Sequence, residues 1–411
     1  MTSKRLAAYA SIAGEPVISQ LKKLGESLAG ATVVHVNSTR MGGGVAEILT
    51  WLTPLMNDLG IYARWEVIDA NEEFYQITKS FHNGLQGNRT GLLRSRLAIY
   101  EDVLAANAER LRGTLESADF VFIHDPQPAY LLSLCKGRVG KWIWRCHIDV
   151  SHPNRAVWNY LKSIVSDYDA SIYSMPLFAQ PLGHPQFIIA PSIDPLSEKN
   201  CDLSDSEIRN TVERFGIDPD VPILTQISRF DRFKDPVGVI KAFQLLGPNL
   251  KAQLVLAGGG ASDDPEGQVV YEEVREASEK DPRIFILMLP NDAHRTINAL
   301  QRASTIIIQK SLQEGFGLTV TEALFKGKPV IGGNAGGIRL QVIPHHTGFL
   351  VDTPEGAALR MRELLRHPEL ARQMGETGRQ YVCDNYLLTR NLREYLTLML
   401  AFKQNLASRV L

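Results

Sequence analysis

A chain of 411 residues with 44% hydrophobic and 22% charged side chains and a formal net charge of −1 is an ordinary globular protein, long enough for two domains that each bury a core. The near-neutral balance gives no electrostatic case for nucleic acid or an anionic membrane surface, and no run of roughly eighteen apolar residues occurs. The four cysteines, Cys135, Cys146, Cys201 and Cys383, are too scattered for a zinc site or a disulfide framework, so a reducing compartment is expected and no metal site is assigned.

The N-terminal MTSKRLAAYASIAGEPVISQ is too interrupted by Ser, Gly and Glu to be a secretory core, which makes the cytoplasm the expected location. Short β-branched runs then alternate with helical stretches: TVVHVN (32–37), ARWEVI (63–68), FVFIHD (120–125), KWIWRC (141–146) and ASIYSM (170–175). That alternation predicts a parallel sheet. The stretch 190–205, rich in Pro, Ser and Asp, reads as an interdomain connection with its boundary near residue 196. A second array follows: PILTQIS (222–228), AQLVLAG (252–258), RIFILML (283–289), STIIIQ (304–309), KPVIGG (328–333) and TGFLV (347–351). Leucines at helical spacing over 385–406 predict a last amphipathic helix that packs back on the first domain. The expected architecture is α/β: two doubly wound Rossmann-like domains, 1–195 and 196–385, facing a cleft, with 386–411 returning to the first.

Ligands of open parallel sheets bind at the carboxyl ends of the strands, so the loops there carry the candidate chemistry. In the first domain NSTRMGGGVAEIL leads a glycine turn into a helix. Gly43 and Gly44 suit amide contacts with phosphate or sugar oxygens, and Asn37 heads the turn. The spacing is not G-x-G-x-x-G, which disfavours a nicotinamide oxidoreductase. FIHDPQP leaves His124, Asp125 and Gln127 at a strand end, either to read acceptor hydroxyls or as a plain turn. RCHIDVSHP places His147 and Asp149 after the next strand, whereas His35, His152, His345 and His346 read as structural. LAGGGASDD (256–264) reads as a structural turn, because its acidic tail repels phosphate.

The most informative segment is EGFGLTVTE, Glu314 to Glu322, between an apolar strand and a helix. Gly315 and Gly317 let backbone amides approach a polar ligand, with Phe316 and Leu318 beside them. Glu314 lies in the loop and Glu322 within the helix, an arrangement that does not make a glycosidase acid/base pair. Each carboxylate suits a vicinal diol; the plainer reading is a helix start with a solvated Glu.

Glu, seven residues, Glu in EGFGLTVTEA resembles the signature of retaining glycosyltransferase family 4, whose fold is GT-B. The resemblance implies that Glu314 holds the transferred sugar and Glu322 the ribose. SRFDRFKDP (228–236) resembles the segment whose basic residues hold the diphosphate, which implies that role for Arg229 and Lys234. LMLPNDA (287–293) resembles the nucleobase loop, with Leu289 and Pro290. GGNAGGIRLQV (332–342) resembles the glycine-rich loop beside the glucosyl donor, with Gln341 where the family carries an acid.

The combination of VVHVNSTRMGGGVAEIL, HDPQP, RCHIDVS and SRFDRFKDP is similar to the trehalose-forming branch of that family and spans nearly the whole chain. That resemblance implies a retaining, reversible transfer of glucose from NDP-glucose to D-glucose, giving α,α-trehalose. It places Arg229, Lys234, Glu314 and His147 at the chemistry. Asn37, His124, Asp125, Gln127, His147 and Asp149 fall on the acceptor side. It also implies no tightly bound cofactor and leaves room for stimulation by Mg and for a homodimer. The alternatives are another acceptor, a trehalose phosphorylase, or a silent nucleotide-sugar-binding protein.

Overall fold

The computed structural model describes residues 4–41, 43–259 and 265–406. The chain divides into two compact units, Met1–Ser192 with Leu388–Leu411, and Ile193–Leu387. Gly42 and the larger part of the LAGGGASDD turn, 260–264, lie outside the described residues.

In the first unit β1 (Thr32–Asn37), β2 (Tyr62–Val67), β3 (Phe120–His124), β4 (Lys141–Arg145), β5 (Ala170–Tyr173) and β6 (Gln186–Ile188) form one sheet in the order β2-β1-β3-β4-β5-β6. Every pairing is parallel. β3 is buried along its whole length and β1 from Val33 onward, because helices cover both faces, which is why these strands read as mainly apolar runs, with buried exceptions such as His35 and His124. β6 is a strand the sequence pattern does not reveal. Three residues behind Pro185 are too few for any alternation, and the edge position asks little of them.

One face of this sheet is packed by the helices Glu15–Glu26, Gly44–Asp58 and Leu388–Lys403 in a single apolar core. Leu388, Leu392, Tyr395, Leu396 and Met399 recur at three- and four-residue spacing, so they form a stripe that faces the sheet. Arg390 fastens the start of that helix, its Nη2 donating to the carbonyls of Ala190 and Pro191 at 2.9 Å each.

In the second unit β7 (Ile223–Ile227), β8 (Gln253–Gly258), β9 (Ile284–Met288), β10 (Ile306–Gln309), β11 (Val330–Gly333) and β12 (Gly348–Val351) form a sheet of order β12-β11-β10-β7-β8-β9, again all parallel. Leu224, Ile306, Ile308, Ile331 and Phe349 supply its inner face. The polar stretch after residue 192 is not a free linker here. Asn298 Nδ2 donates to the carbonyls of Glu198 and Cys201 at 2.9 and 2.8 Å, Arg302 Nη2 to those of Asn200 and Cys201 at 3.0 Å each. Side chains from the helix His294–Ala303 thus convert a linker-like composition into an ordered strap. No helix among the described residues is long and apolar enough to cross a membrane.

Candidate active site

Strand order reverses between β7 and β10 in the second unit, which makes the gap between their carboxyl ends the topological switch point where doubly wound sheets bind ligands. After β7 the chain turns sharply. Asp231 accepts from the Phe233 amide at 2.7 Å, and Asp235, left-handed at φ 50°, starts the helix Pro236–Gln244 by accepting from Gly238 N at 3.1 Å. The Lys234 carbonyl is pinned by Gln226 Nε2 at 2.7 Å. Its side chain crosses the switch point to Glu314 Oε2 at 2.6 Å, an oxygen that Ser311 Oγ also reaches at 3.1 Å. Beside it the buried Lys310 pairs with Asp235. Arg229 is largely exposed and lies against Asp231 at 3.1 Å. The structure therefore brings Lys234 and Glu314 together, with Arg229 at the rim.

Glycine holds this loop in place by permitting contact between backbones. Gly336 has φ 43°, and a Cβ built there would lie 1.6 Å from the Glu314 carbonyl oxygen; one on Gly337 would lie 2.6 Å from Phe316 Cα. Gly337 N donates to Gly315 O at 3.1 Å. The loops 314–317 and 334–337 are thus zipped together. Gln341, wholly buried, completes the closure. Its Nε2 donates to the Phe316 carbonyl at 2.6 Å and its Oε1 accepts from Thr321 Oγ1 at 2.5 Å. An acid in its place has no N–H for that carbonyl. Gly317 at φ 85° starts the helix Leu318–Phe325, on which Glu322 is 2% exposed with Oε1 at 3.8 Å from Lys199 Nζ. The two glutamates are therefore held by different lysines. Leu289 and Pro290 follow β9, at the sheet's outer edge; Leu289 N donates to Gly258 O at 2.9 Å, and Pro290 O accepts from Ala293 N at 3.1 Å.

In the first unit the carboxyl ends of β1, β3 and β4 are neighbours, and order again reverses between β1 and β3. Asp125 follows β3 with φ 64°, a conformation that costs about 1–3 kcal/mol in a non-glycine residue and accompanies functional loops. Its Oδ1 accepts from His147 N at 2.7 Å. Burial pushes its carboxyl up to about 7 despite that hydrogen bond and the nearby Arg145. His147 Nε2 meets His124 Nδ1 at 3.0 Å, and His124 Nε2 meets His35 Nδ1 at 3.1 Å. Gln127 is half-buried in the same loop, which Tyr100 braces through Pro126 O at 2.8 Å. Asp149 caps its own turn, accepting from Ser151 N and Oγ at 2.9 and 2.6 Å. Asn37 is spent internally, donating to Thr39 O and accepting from Trp65 Nε1, both at 2.8 Å. Gly43, at φ 83°, precedes the helix that Gly44 begins.

Three residues escape a reading of the sequence, Arg145, Lys199 and Lys310, and two that it names, His35 as structural and Gln341 as a departure from the family acid, have partners that it does not give. Arg145 and Lys310 close apolar strands and carried a signal, since a cation there must find a partner or a use. The others depend on neighbours distant in the chain. Among the described residues no group of three or more His, Cys, Asp or Glu side chains is arranged to hold a metal ion.

Residues 35–180 match the family described as trehalose synthase, N-terminal domain, and residues 207–381 the family described as glycosyl transferases group 1. The chain is 45% identical over 404 residues to the trehalose synthase of Thermococcus litoralis, which covers 97% of both chains. It is 43% identical over 402 residues to that of Rubrobacter xylanophilus, covering 96% of both. Among solved structures, a sucrose-phosphate synthase from Thermosynechococcus elongatus superposes with a TM-score of 0.73 at 17% identity, covering 92% of this chain and all of the other.

Proposed function

Because the chain belongs to the trehalose synthase family, glycosyltransferases of GT-B fold, we propose that it transfers glucose from NDP-glucose to free D-glucose, giving α,α-trehalose and NDP with retention at C1. The observation that carries this reading is the Lys234–Glu314 pair at the switch point of the second sheet. In the structure each charge satisfies the other. With NDP-glucose bound, Lys234 and Arg229 turn to the diphosphate and Glu314 accepts from hydroxyls of the glucosyl ring, so that one pair serves both ends of the bond to be broken. Glu322 takes the ribose hydroxyls, and the turn at Leu289 and Pro290 the base. On the acceptor side His147 donates to glucose, with Asp125 and Gln127 beside it.

No carboxylate serves as a covalent nucleophile in this scheme. The C1–oxygen bond to the β-phosphate breaks as the acceptor oxygen approaches C1 on the same face, and the departing phosphate oxygen takes the acceptor's proton. Positioning and fixed charge supply most of the rate. Since the bonds broken and made are of one kind, trehalose and NDP run the reaction backwards. The test is incubation with UDP-, ADP- and GDP-glucose plus glucose, followed by NMR of the products. α,α-Trehalose from one or more of the three is expected, and no disaccharide from any of them overturns the reading.

A further inference from the structure

Three imidazoles in the first unit, from three adjacent strands, form one hydrogen-bonded row. His35 lies in β1, His124 ends β3, and His147 follows β4. The contacts run His35 Nδ1 to His124 Nε2 at 3.1 Å and His124 Nδ1 to His147 Nε2 at 3.0 Å. The rings are packed as well as bonded. His35 stacks on Phe122 with centroids 4.9 Å apart and meets the edge of Tyr395 at 5.8 Å, while His124 and His147 are nearly parallel at 5.4 Å. His35 and His124 are buried and His147 is half-buried.

A neutral imidazole carries one N–H and one lone pair. In a row joined Nδ1 to Nε2 twice over, the bonds must therefore all point the same way, and the proton on one end ring decides the other. The inner end sets the direction. His35 Nε2 is buried with no hydrogen-bond partner among the described residues. Orphaned buried N–H groups are rarer than orphaned acceptors, so that nitrogen holds a lone pair. It follows that His35 Nδ1–H donates to His124, and His124 Nδ1–H donates to His147. The proton of His147 is then on Nδ1, which has no partner among the described residues.

Resting on the acceptor role given above to His147, we propose that His35 and His124 are positioning residues that lock His147 in its Nδ1–H tautomer, a fixed hydrogen-bond donor to a glucose oxygen. The row is not a proton wire, because its inner end is closed between Phe122 and Tyr395. Nor can His147 act as a general base, since the one lone pair left in the row is His35 Nε2. The surroundings keep the row uncharged: burial draws all three imidazoles below their ordinary range, and the Arg145 guanidinium adds to this at His124 and His147. Asp125 faces the row through the His147 amide, while Tyr395 and Glu394 lie on the covering helix.

The test is a long-range 1H–15N correlation spectrum of the full chain labelled at histidine, with signals assigned by single substitutions. Protonated Nδ1 and bare Nε2 are expected at all three rings between about pH 6 and 8. His35→Phe keeps an aromatic ring but removes the donor to His124, so His124 and His147 should become tautomer mixtures. His35→Gln, whose amide can donate to His124 Nε2, should restore the single form. If the competent tautomer falls to about one third, the KM for glucose rises about threefold, with kcat within about twofold. A protonated Nε2 or a cationic ring at His147 in the unsubstituted protein overturns the proposal, and this holds even if His35→Phe does not fold. So does an unchanged His147 signal in a folded His35→Phe. Failure of disaccharide synthesis overturns the function and leaves the tautomers standing, whereas a wrong tautomer leaves the synthesis standing.

Discussion

Lys234 and Glu314 sit 2.6 Å apart with little solvent around either, so removing one strands the other. A double-mutant cycle with Lys234→Ala and Glu314→Ala should give a coupling of about 1–3 kcal/mol in unfolding free energy. Saturating NDP should shrink that coupling, because Lys234 then has phosphate to turn to; a coupling indifferent to NDP would remove Lys234 from the diphosphate. Glu314→Gln keeps the shape but removes the negative charge that faces the glucosyl ring as positive charge develops at C1, and should lower kcat about 100-fold, the order seen when one preorganised electrostatic contact is lost. A second consequence at this scale concerns pH. Burial draws His35 from 6.5 to about 3, so the folded protein keeps it neutral while the unfolded chain takes up a proton below 6.5. Stability is therefore lost as pH falls, by about 2 kcal/mol at pH 5 from this ring alone. The stability difference between pH 7.5 and pH 5 should accordingly be smaller by about that amount in His35→Phe, measured by urea unfolding; an equal difference would place His35 outside the buried row.

Among the elements, the loops 314–317 and 334–337 act as one piece because glycine lets their backbones touch. Gly336→Ala should displace Glu314 as well as strain φ, costing about 1–3 kcal/mol of stability and raising the KM for NDP-glucose. An unchanged KM would detach the second loop from the site. Most strands of both sheets were legible because a strand buried on two faces is mainly apolar and β-branched, as β1, β3, β7 and β10 are apart from a few buried polar residues such as His35 and Gln226. β6 was not, since its pairing to β5 does the work that its sequence does not. The EGFGL and GGNAGG loops declared that glycine was needed without declaring for what. A ligand's oxygen and a neighbouring backbone make the same demand on Cβ, and here the neighbour is the other loop. His35 sits in a run that reads as plain strand; only the register, which pairs it with Phe122 and so brings its ring within reach of His124 two residues on, gives it a role.

At the scale of the whole chain, the second unit is an insertion into the first. Ile193 and Leu387, its two ends, form a parallel bridge, and Ile193 N donates to Tyr386 O at 2.9 Å. Its sheet, its core and the Lys234–Glu314 pair all lie between those ends, and so does the strap that its composition disguised as a linker. The fragment 193–387 should therefore fold alone, unfold cooperatively and be stabilised thermally by NDP. The first unit is not so divisible. Residues 1–192 without the last helix lose Leu388, Leu392, Tyr395, Leu396 and Met399 from one continuous core, and several buried side chains at about 1.5–3 kcal/mol each exceed the margin of a domain that size. Arg390 and Asn391 reach the Ala190 carbonyl at 2.9 and 3.1 Å, so the two cut ends lie close enough for a short Gly-Ser link from 192 to 388. The linked chain should regain a cooperative transition that residues 1–192 alone lack. A cooperative transition in 1–192 by itself would show that the helix is an addition to that core, not a part of it.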